Sequence, residues 1–153
     1  KLTVQIILIR VICNGLVFEP ISNFILESKI NMEILSKVYK NYVLNCSKES
    51  ITYAYSLLFY NLCYKVHQGT NNPANFDVKE YFDIYLDSKC TVYGEKCLIS
   101  IYTGLILMAE KFKEELPKEL KESFIGKIKI NLKSTPEVIC IEYLEDLIMM
   151  LSK

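Results

Sequence analysis

Two stretches of this 153-residue chain, 31–66 and 75–113, are similar enough to be divergent copies of one helical hairpin, although their identities are few. In each stretch an asparagine opens an amphipathic segment, a cysteine ends it, and a more apolar segment follows. With a shift of three residues between the segments, the aligned pairs are Asn31 with Asn75, Cys46 with Cys90, Tyr55 with Tyr102 and Leu58 with Leu105. The repeat predicts two helical hairpins that superpose with these pairs at equivalent positions.

Apolar residues recur at helical spacing along most of the chain. Segment 31–45 is amphipathic, whereas segments 51–66 and 97–112 are apolar nearly all round, which is typical of helices at the centre of a bundle. We therefore expect an all-α fold, a bundle of four to six helices made of two related helical hairpins plus a C-terminal helix.

The second half of the chain contains a capped helix, a short helix followed by an alternating stretch, and a final helix. A helix that starts at Asn75 or Asp77 is expected to carry Val78, Tyr81, Phe82 and Tyr85 on one face. A short helix over 118–124 is predicted to stop at Gly126, and the alternating residues 127–133 are interpreted as an extended connector. The last helix is predicted from Thr135 to Leu151, and its expected inner positions are Val138, Ile141, Leu144, Leu147, Ile148 and Leu151.

The composition excludes some classes of protein. Eighteen acidic residues balance eighteen basic ones, so binding of nucleic acid through bulk positive charge is not expected. A hydrophobic fraction of 51% excludes a disordered chain, and residues 16–153 are long enough for one helical domain. No stretch is apolar for the roughly 18 residues that a membrane span needs.

The first residues, 1–15, have the plan of a secretory signal peptide. A lysine precedes an apolar run, and small residues at Cys13 and Gly15 follow it, although Arg10 interrupts the run. This pattern predicts cleavage after Gly15 and a secreted protein. The alternative is a buried strand or helix of the folded domain.

Cleavage would leave an odd number of cysteines as disulfide candidates: Cys46, Cys63, Cys90, Cys97 and Cys140. Two disulfide bridges and one unpaired thiol would follow. Four cysteines can pair in three ways, and all three connectivities stay open. Bridges that join the two copies of the helical hairpin are favoured. In a protein that is not exported, the same cysteines would be buried thiols that act as small apolar residues. Their spacing fits no metal site, so neither a metal nor a cofactor is expected.

No catalytic constellation is evident. Cys63 and His67 are one helical turn apart, but a nucleophile would also need an orienting acid and an oxyanion hole. The simpler interpretation of His67 is a helix-end side chain that faces water. We therefore do not expect an enzyme.

Two cysteine, tyrosine, cysteine sets behind a signal-like start resemble the bicycle proteins, secreted salivary effectors of gall-forming aphids. The first set is Cys46, Tyr55 and Cys63, and the second is Cys90, Tyr93 or Tyr102, and Cys97. The resemblance spans about 31–112. It implies an exported helical protein that is delivered into a host organism, with no enzyme chemistry to transfer.

The function expected from these features is binding of a host or partner protein. The candidate contact residues are Tyr39, Tyr53, Tyr60 and Tyr64. One alternative is a carrier that holds a small apolar ligand between the two apolar helices. Another is an intracellular viral inhibitor that binds a groove of a host protein. An exposed aromatic surface would favour the partner-binding protein, whereas a core cavity would favour the carrier.

Overall fold

The computed structural model describes residues 49–69, 77–86, 95–134 and 138–153, together with the single positions Val11, Pro20 and Phe24. For residues 49–55, 84, 95 and 96 it describes the backbone alone. These residues form α1 (Glu49–Gln68), α2 (Val78–Leu86), α3 (Glu95–Phe112), α4 (Lys118–Ser134) and α5 (Val138–Ser152). The predicted signal segment 1–15 apart from Val11, segment 31–45 and the residues Tyr39, Cys46 and Cys90 lie outside the described residues.

The five described helices pack as an all-α bundle, which confirms the predicted fold class. Helix α3 lies at its centre and packs against α1, α5 and α2. Helix α4 completes the arrangement by packing against α2 and α5. The apolar character of α1 and α3 follows from this packing, because their mutual contact is the most extensive between any two described helices.

Helix α2 begins as the sequence predicts. The backbone N–H of Glu80 donates to Oδ1 of Asp77 at 3.1 Å, so Asp77 caps a helix whose first N–H groups have no partner within the helix. Its expected inner face is confirmed, because all four of its members are buried: Val78, Tyr81, Phe82 and Tyr85.

Aromatic rings fill the space between α1, α2 and α4. The ring of Phe59 lies 4.4 Å from that of Tyr85 and 5.4 Å from that of Tyr81, measured between centroids. The rings of Phe82 and Phe124 stack at 4.5 Å. Tilted and offset pairs at such distances are the favourable arrangements of aromatic rings. The aromatic core therefore connects α1 and α2 with α4, which is distant from both in the chain.

Helix α3 packs tightly against α1 at Gly104. A Cβ atom at this position would lie 2.7 Å from Cε1 of Phe59 and 3.3 Å from Sγ of Cys63. Only glycine leaves room for the two helices at this separation. Gly126 in α4 is different, because a Cβ atom there would meet nothing within 4 Å.

Two helix ends are completed by side chains from neighbouring helices. The Lys111 ammonium of α3 donates to the carbonyl oxygens of Val66 and Gly69 at the end of α1. The buried amide of Asn131 in α4 donates to the carbonyl oxygen of Leu86 at the end of α2, at 2.9 Å. The last carbonyls of a helix have no intrahelical donor, so both contacts stabilise these ends.

The predicted stop at Gly126 and the extended connector over 127–133 are wrong. Helix α4 runs without interruption from Lys118 to Ser134. In helical geometry Phe124, Ile128 and Asn131 point to one side, and all three are buried. Burial of this face outweighs the cost of about 1 kcal/mol that a glycine adds within a helix.

Helix α5 ends within one residue of its predicted end, and its predicted start at Thr135 lies outside the described residues. Not all of its predicted inner positions are buried. Val138, expected inside, has 71% of its surface exposed, whereas Leu144, Leu147 and Leu151 are buried as expected. The buried line includes Cys140, which the prediction omitted. Because Cys140 and Leu144 are four residues apart, the inner face is rotated away from Val138.

The internal repeat stays a prediction. Its paired positions Leu58 and Leu105 are both fully buried, and Tyr102 is buried as well. The remaining members, including both paired cysteines and the side chain of Tyr55, lie outside the described residues.

An ion-pair cluster connects α2 to α4. Oδ1 of Asp83 accepts from Nζ of Lys127 at 2.6 Å, and its Oδ2 accepts from Nζ of Lys79 at 2.6 Å. Partial burial alone would raise the pKa of Asp83, but hydrogen bonds from both lysines outweigh it and hold that pKa below its usual range. The folded chain therefore favours the ionised carboxylate.

We expect replacement of this carboxylate to cause a small, pH-dependent loss of stability. Because the pKa of Asp83 is lower in the folded chain than in the unfolded chain, its contribution is full above the usual aspartate pKa of about 3.9. This contribution to stability disappears as the pH falls through the lower pKa that Asp83 has in the folded chain. At neutral pH we expect Asp83→Asn to lower the free energy of unfolding by about 0.5 to 1 kcal/mol, since solvent screens the pairs. Urea unfolding across this pH range measures the effect.

The matched control is Glu114→Gln, which removes an exposed carboxylate from the turn after α3. It should leave the free energy of unfolding unchanged at every pH. An Asp83→Asn protein with wild-type stability at neutral pH would contradict the role assigned to the cluster.

Candidate partner-binding surface

The outer side of α1 presents a pair of tyrosines, Tyr60 and Tyr64, hereafter the tyrosine face. Their rings stack with centroids 6.2 Å apart and planes inclined by 30°. Tyr64 has 43% of its surface exposed, and Tyr60 is half-buried. Two of the four predicted contact residues thus lie together, because a spacing of four residues places them on one side of the helix. Position 53 shares that side by the same period, and Tyr39 lies outside the described residues.

The inner side of α1 explains why these tyrosines point outward. Leu58, Phe59, Leu62, Cys63 and Val66 are all buried in the core. This leaves the opposite side for residues 57, 60, 61 and 64. Nδ2 of Asn61 donates to the carbonyl oxygen of Leu57 at 2.9 Å, so its amide is engaged by the helix itself. The phenol groups are therefore the main polar ends that this surface offers.

Not all tyrosines are surface residues. Tyr81, Tyr85 and Tyr102 are among the largest fully buried side chains. The sequence explains the difference for α2, where the tyrosines lie on the same helical face as Val78 and Phe82. For Tyr102, burial follows from the central position of α3, which faces three other helices.

The C-terminal end of α1 is fixed next to the tyrosine face. Nε2 of His67 lies 3.0 Å from Oε2 of Glu110 in α3, and Lys111 contacts the last carbonyls of α1. These contacts hold the end of α1 against α3. A surface whose backbone is fixed loses less conformational entropy when a partner binds.

The cysteine predictions have a mixed outcome. Cys63, Cys97 and Cys140 are thiols that form no disulfide, and all three are buried in the core. Bridges that use these three are therefore not part of the described structure, and Cys46 and Cys90 lie outside it. Buried thiols of this kind act as small apolar residues.

The Cys63 and His67 pair lacks the geometry of a nucleophile. Sγ of Cys63 points into the interface with Gly104, and burial raises the pKa of this thiol well above its usual value. A nucleophilic cysteine needs a thiolate and access to substrate. His67 contacts Glu110 in α3, so its position is explained by the helix-end contact rather than by Cys63.

Two further types of site are not found among the described residues. In the described ranges, no group of three His, Cys, Asp or Glu side chains is arranged to hold a metal ion. No described helix combines the length and apolar character that a bilayer crossing requires. Between α1 and α3, where a carrier was expected to hold its ligand, Gly104 and Phe59 are in direct contact. The tyrosine face is the candidate site because its two rings stack on the outer side of α1 and one of them is exposed.

Sequence reasoning missed three residues that fix how the helices pack. Gly104, Lys111 and Asn131 act on helices distant in the chain, and their residue types alone do not show which helix each contacts. The only local signal was a lone glycine within a long apolar segment, which is typical of close helix packing. No protein-family model, no curated protein and no solved structure matches this chain.

Proposed function

We propose that this protein is a non-enzymatic binding protein that contacts a protein partner through its tyrosine face. The observation that carries the proposal is the stacked and partly exposed pair of Tyr60 and Tyr64 on a helix anchored in the core. Tyrosine gives large contact area and a hydrogen-bonding end at low cost in conformational entropy, and it is enriched at interface positions that dominate binding energy.

We further propose that the protein is secreted and acts as an effector in a host. The support is the pattern of residues 1–15 and the resemblance of the cysteine and tyrosine sets to the bicycle proteins. A partner outside the producing cell would then meet the tyrosine face directly.

Photo-crosslinking tests the binding surface. A benzophenone amino acid placed at Tyr64 should crosslink a protein in extracts of the tissue that makes or receives this protein. The same amino acid at the half-buried Tyr143 of α5 is the matched control, because it also replaces a tyrosine. We expect the double variant Tyr60→Ser, Tyr64→Ser to weaken binding of the captured partner by more than about tenfold. Equal crosslinking from both positions would contradict the proposal.

A second candidate, an intracellular protein that binds a host protein, is favoured by the three described thiols. Cytosolic conditions keep cysteines reduced, whereas export favours disulfides. The two candidates share the tyrosine face and differ in compartment. Intact mass of the natively produced protein, alkylated with and without prior reduction, distinguishes them through its start residue and its number of blocked cysteines.

A further inference from the structure

The outer surface of α4 and α5 carries most of the exposed large apolar side chains. Ile130 in α4 is 63% exposed, and in α5 the values are 71% for Val138, 41% for Ile139 and 54% for Met149. Among the described residues of 49–153, Tyr64 is the only other large apolar side chain that is exposed. Apolar residues concentrated in one part of a surface indicate an interaction site.

Charged residues of both signs surround these apolar side chains. Along α5, Val138, Glu142, Glu145 and Met149 follow one another at spacings of four, three and four residues, so they form one row on the solvent side. Asp146 is exposed next to this row. On α4, the exposed Lys129 and Lys133 flank Ile130.

None of these five charged side chains forms an ion pair within the described part of the chain. Two other lysines of α4 do form ion pairs, since Lys127 pairs with Asp83 and Lys118 lies 3.9 Å from Glu122. The exposed acids of α5 and lysines of α4 are thus available to a partner.

Helical geometry places the basic row of α4 on the side of that helix that lies away from α2. Lys127 and Asn131 face α2, as their contacts with Asp83 and Leu86 show. Lys129 follows Lys127 by two residues, and Lys133 follows Asn131 by two residues. Each lysine is therefore about 200° further around the helix than its reference residue, on the side away from α2. Since α4 packs only against α2 and α5 among its major described contacts, this side borders α5 and solvent.

We propose that this α4–α5 surface binds a second copy of the chain. Across a twofold axis, α4 of each copy would lie against α5 of the other. Lys129 and Lys133 would then meet Glu142 and Glu145, with the exposed Val138 and Met149 of the same α5 row packed between them. A twofold interface needs a surface that is complementary to itself, and this surface carries both signs of charge. A partner of one charge sign would match only half of it.

The surface has the size of a weak dimer interface. Helices of this length extend for about 22 to 26 Å, and their axes are about 10 Å apart, which gives a face of roughly 25 by 20 Å. Such a face corresponds to the lower end of specific interfaces, where association is weak. We therefore expect a dimer that forms as the protein concentration rises and dissociates in high salt.

Analytical ultracentrifugation from about 1 to about 300 µM protein tests this, because small interfaces form weak dimers. We expect Glu142→Lys or Lys133→Glu alone to weaken dimerisation by about tenfold, through like charges placed across the interface. The double reversal in one chain should restore it, since each pair regains opposite charges. Glu114→Lys, a charge reversal in the turn after α3, is the matched control and should leave dimerisation unchanged.

Three results would overturn the proposal. The chain could remain monomeric at every concentration, or it could dimerise with an affinity that neither single reversal changes. Failure of the double reversal to restore the dimer would show that these charges do not face each other. The tyrosine face is a separate surface, so Tyr60→Ser with Tyr64→Ser should still dimerise, and either proposal can fail alone.

Discussion

Phe59→Ala is expected to lower the free energy of unfolding by about 3 to 5 kcal/mol. Its ring is fully buried and lies against Tyr81, Tyr85 and the backbone of Gly104. Truncation removes the ring contacts of both tyrosines and leaves a cavity at the junction of α1, α2 and α3. Urea unfolding followed by circular dichroism measures the change.

The control for this loss is Tyr64→Ala on the same helix. It replaces another aromatic ring by the same methyl group, but the ring of Tyr64 is 43% exposed, so no closed cavity results. We expect its effect on the free energy of unfolding to stay below about 1 kcal/mol. Similar losses from both variants would show that Phe59 is not the centre of the core.

Gly104→Ala is expected to destabilise the protein by about 1 to 3 kcal/mol, although alanine is the better helix former. The new Cβ would lie 2.7 Å from the Phe59 ring, which cannot move away because Tyr81 and Tyr85 pack against it. Gly126→Ala makes the same change in α4, where the added methyl group meets nothing within 4 Å. There we expect a gain of about 0.5 to 1 kcal/mol. The two variants should thus shift the urea midpoint in opposite directions.

A double variant identifies the cause of the Gly104→Ala effect. Phe59→Leu shortens the side chain that the new methyl group would meet, so Gly104→Ala should cost less in that background. The coupling between contacting residues is typically about 0.5 to 3 kcal/mol. Purely additive effects, or a Gly104→Ala protein more stable than wild type, would mean that α1 and α3 are not held at the separation described.

These stability predictions also show which variants are suitable for testing partner binding. The tyrosine face is the outer side of the helix whose inner side contains Phe59. Variants of Phe59 or Gly104 would change binding through the position of α1, which is not a test of contact. Tyr60 and Tyr64 can be replaced with less damage because water already reaches them.

Much of the fold was predictable where a local pattern is strong. The nearly all-round apolar character of 51–66 and 97–112 predicted α1 and α3, and Asn75 or Asp77 was the predicted start of α2, which Asp77 caps. Helical period and capping act over a few residues, so the sequence of one segment contains the necessary information. The outward positions of Tyr60 and Tyr64 were predictable for the same reason.

The errors fall where long-range contacts override local preference. Gly126 and the alternating residues after it predict a break and an extended segment, but burial of Phe124 and Ile128 and the contact from Asn131 to Leu86 keep α4 helical. Val138 was placed inside because α5 has apolar residues on several sides. Only the packing of α5 against α3 and α4 selects the face with Cys140 and Leu144.

Helical class, the main boundaries and the inner face of α2 therefore follow from local sequence, because they depend on residues one or two turns apart. The choice of neighbours is different. The close approach at Gly104, the helix ends completed by Lys111 and Asn131, and the charged rows left on α4 and α5 depend on residues far apart in the chain. No local period contains that information, since which surfaces meet is determined by the free energy of the whole packed core.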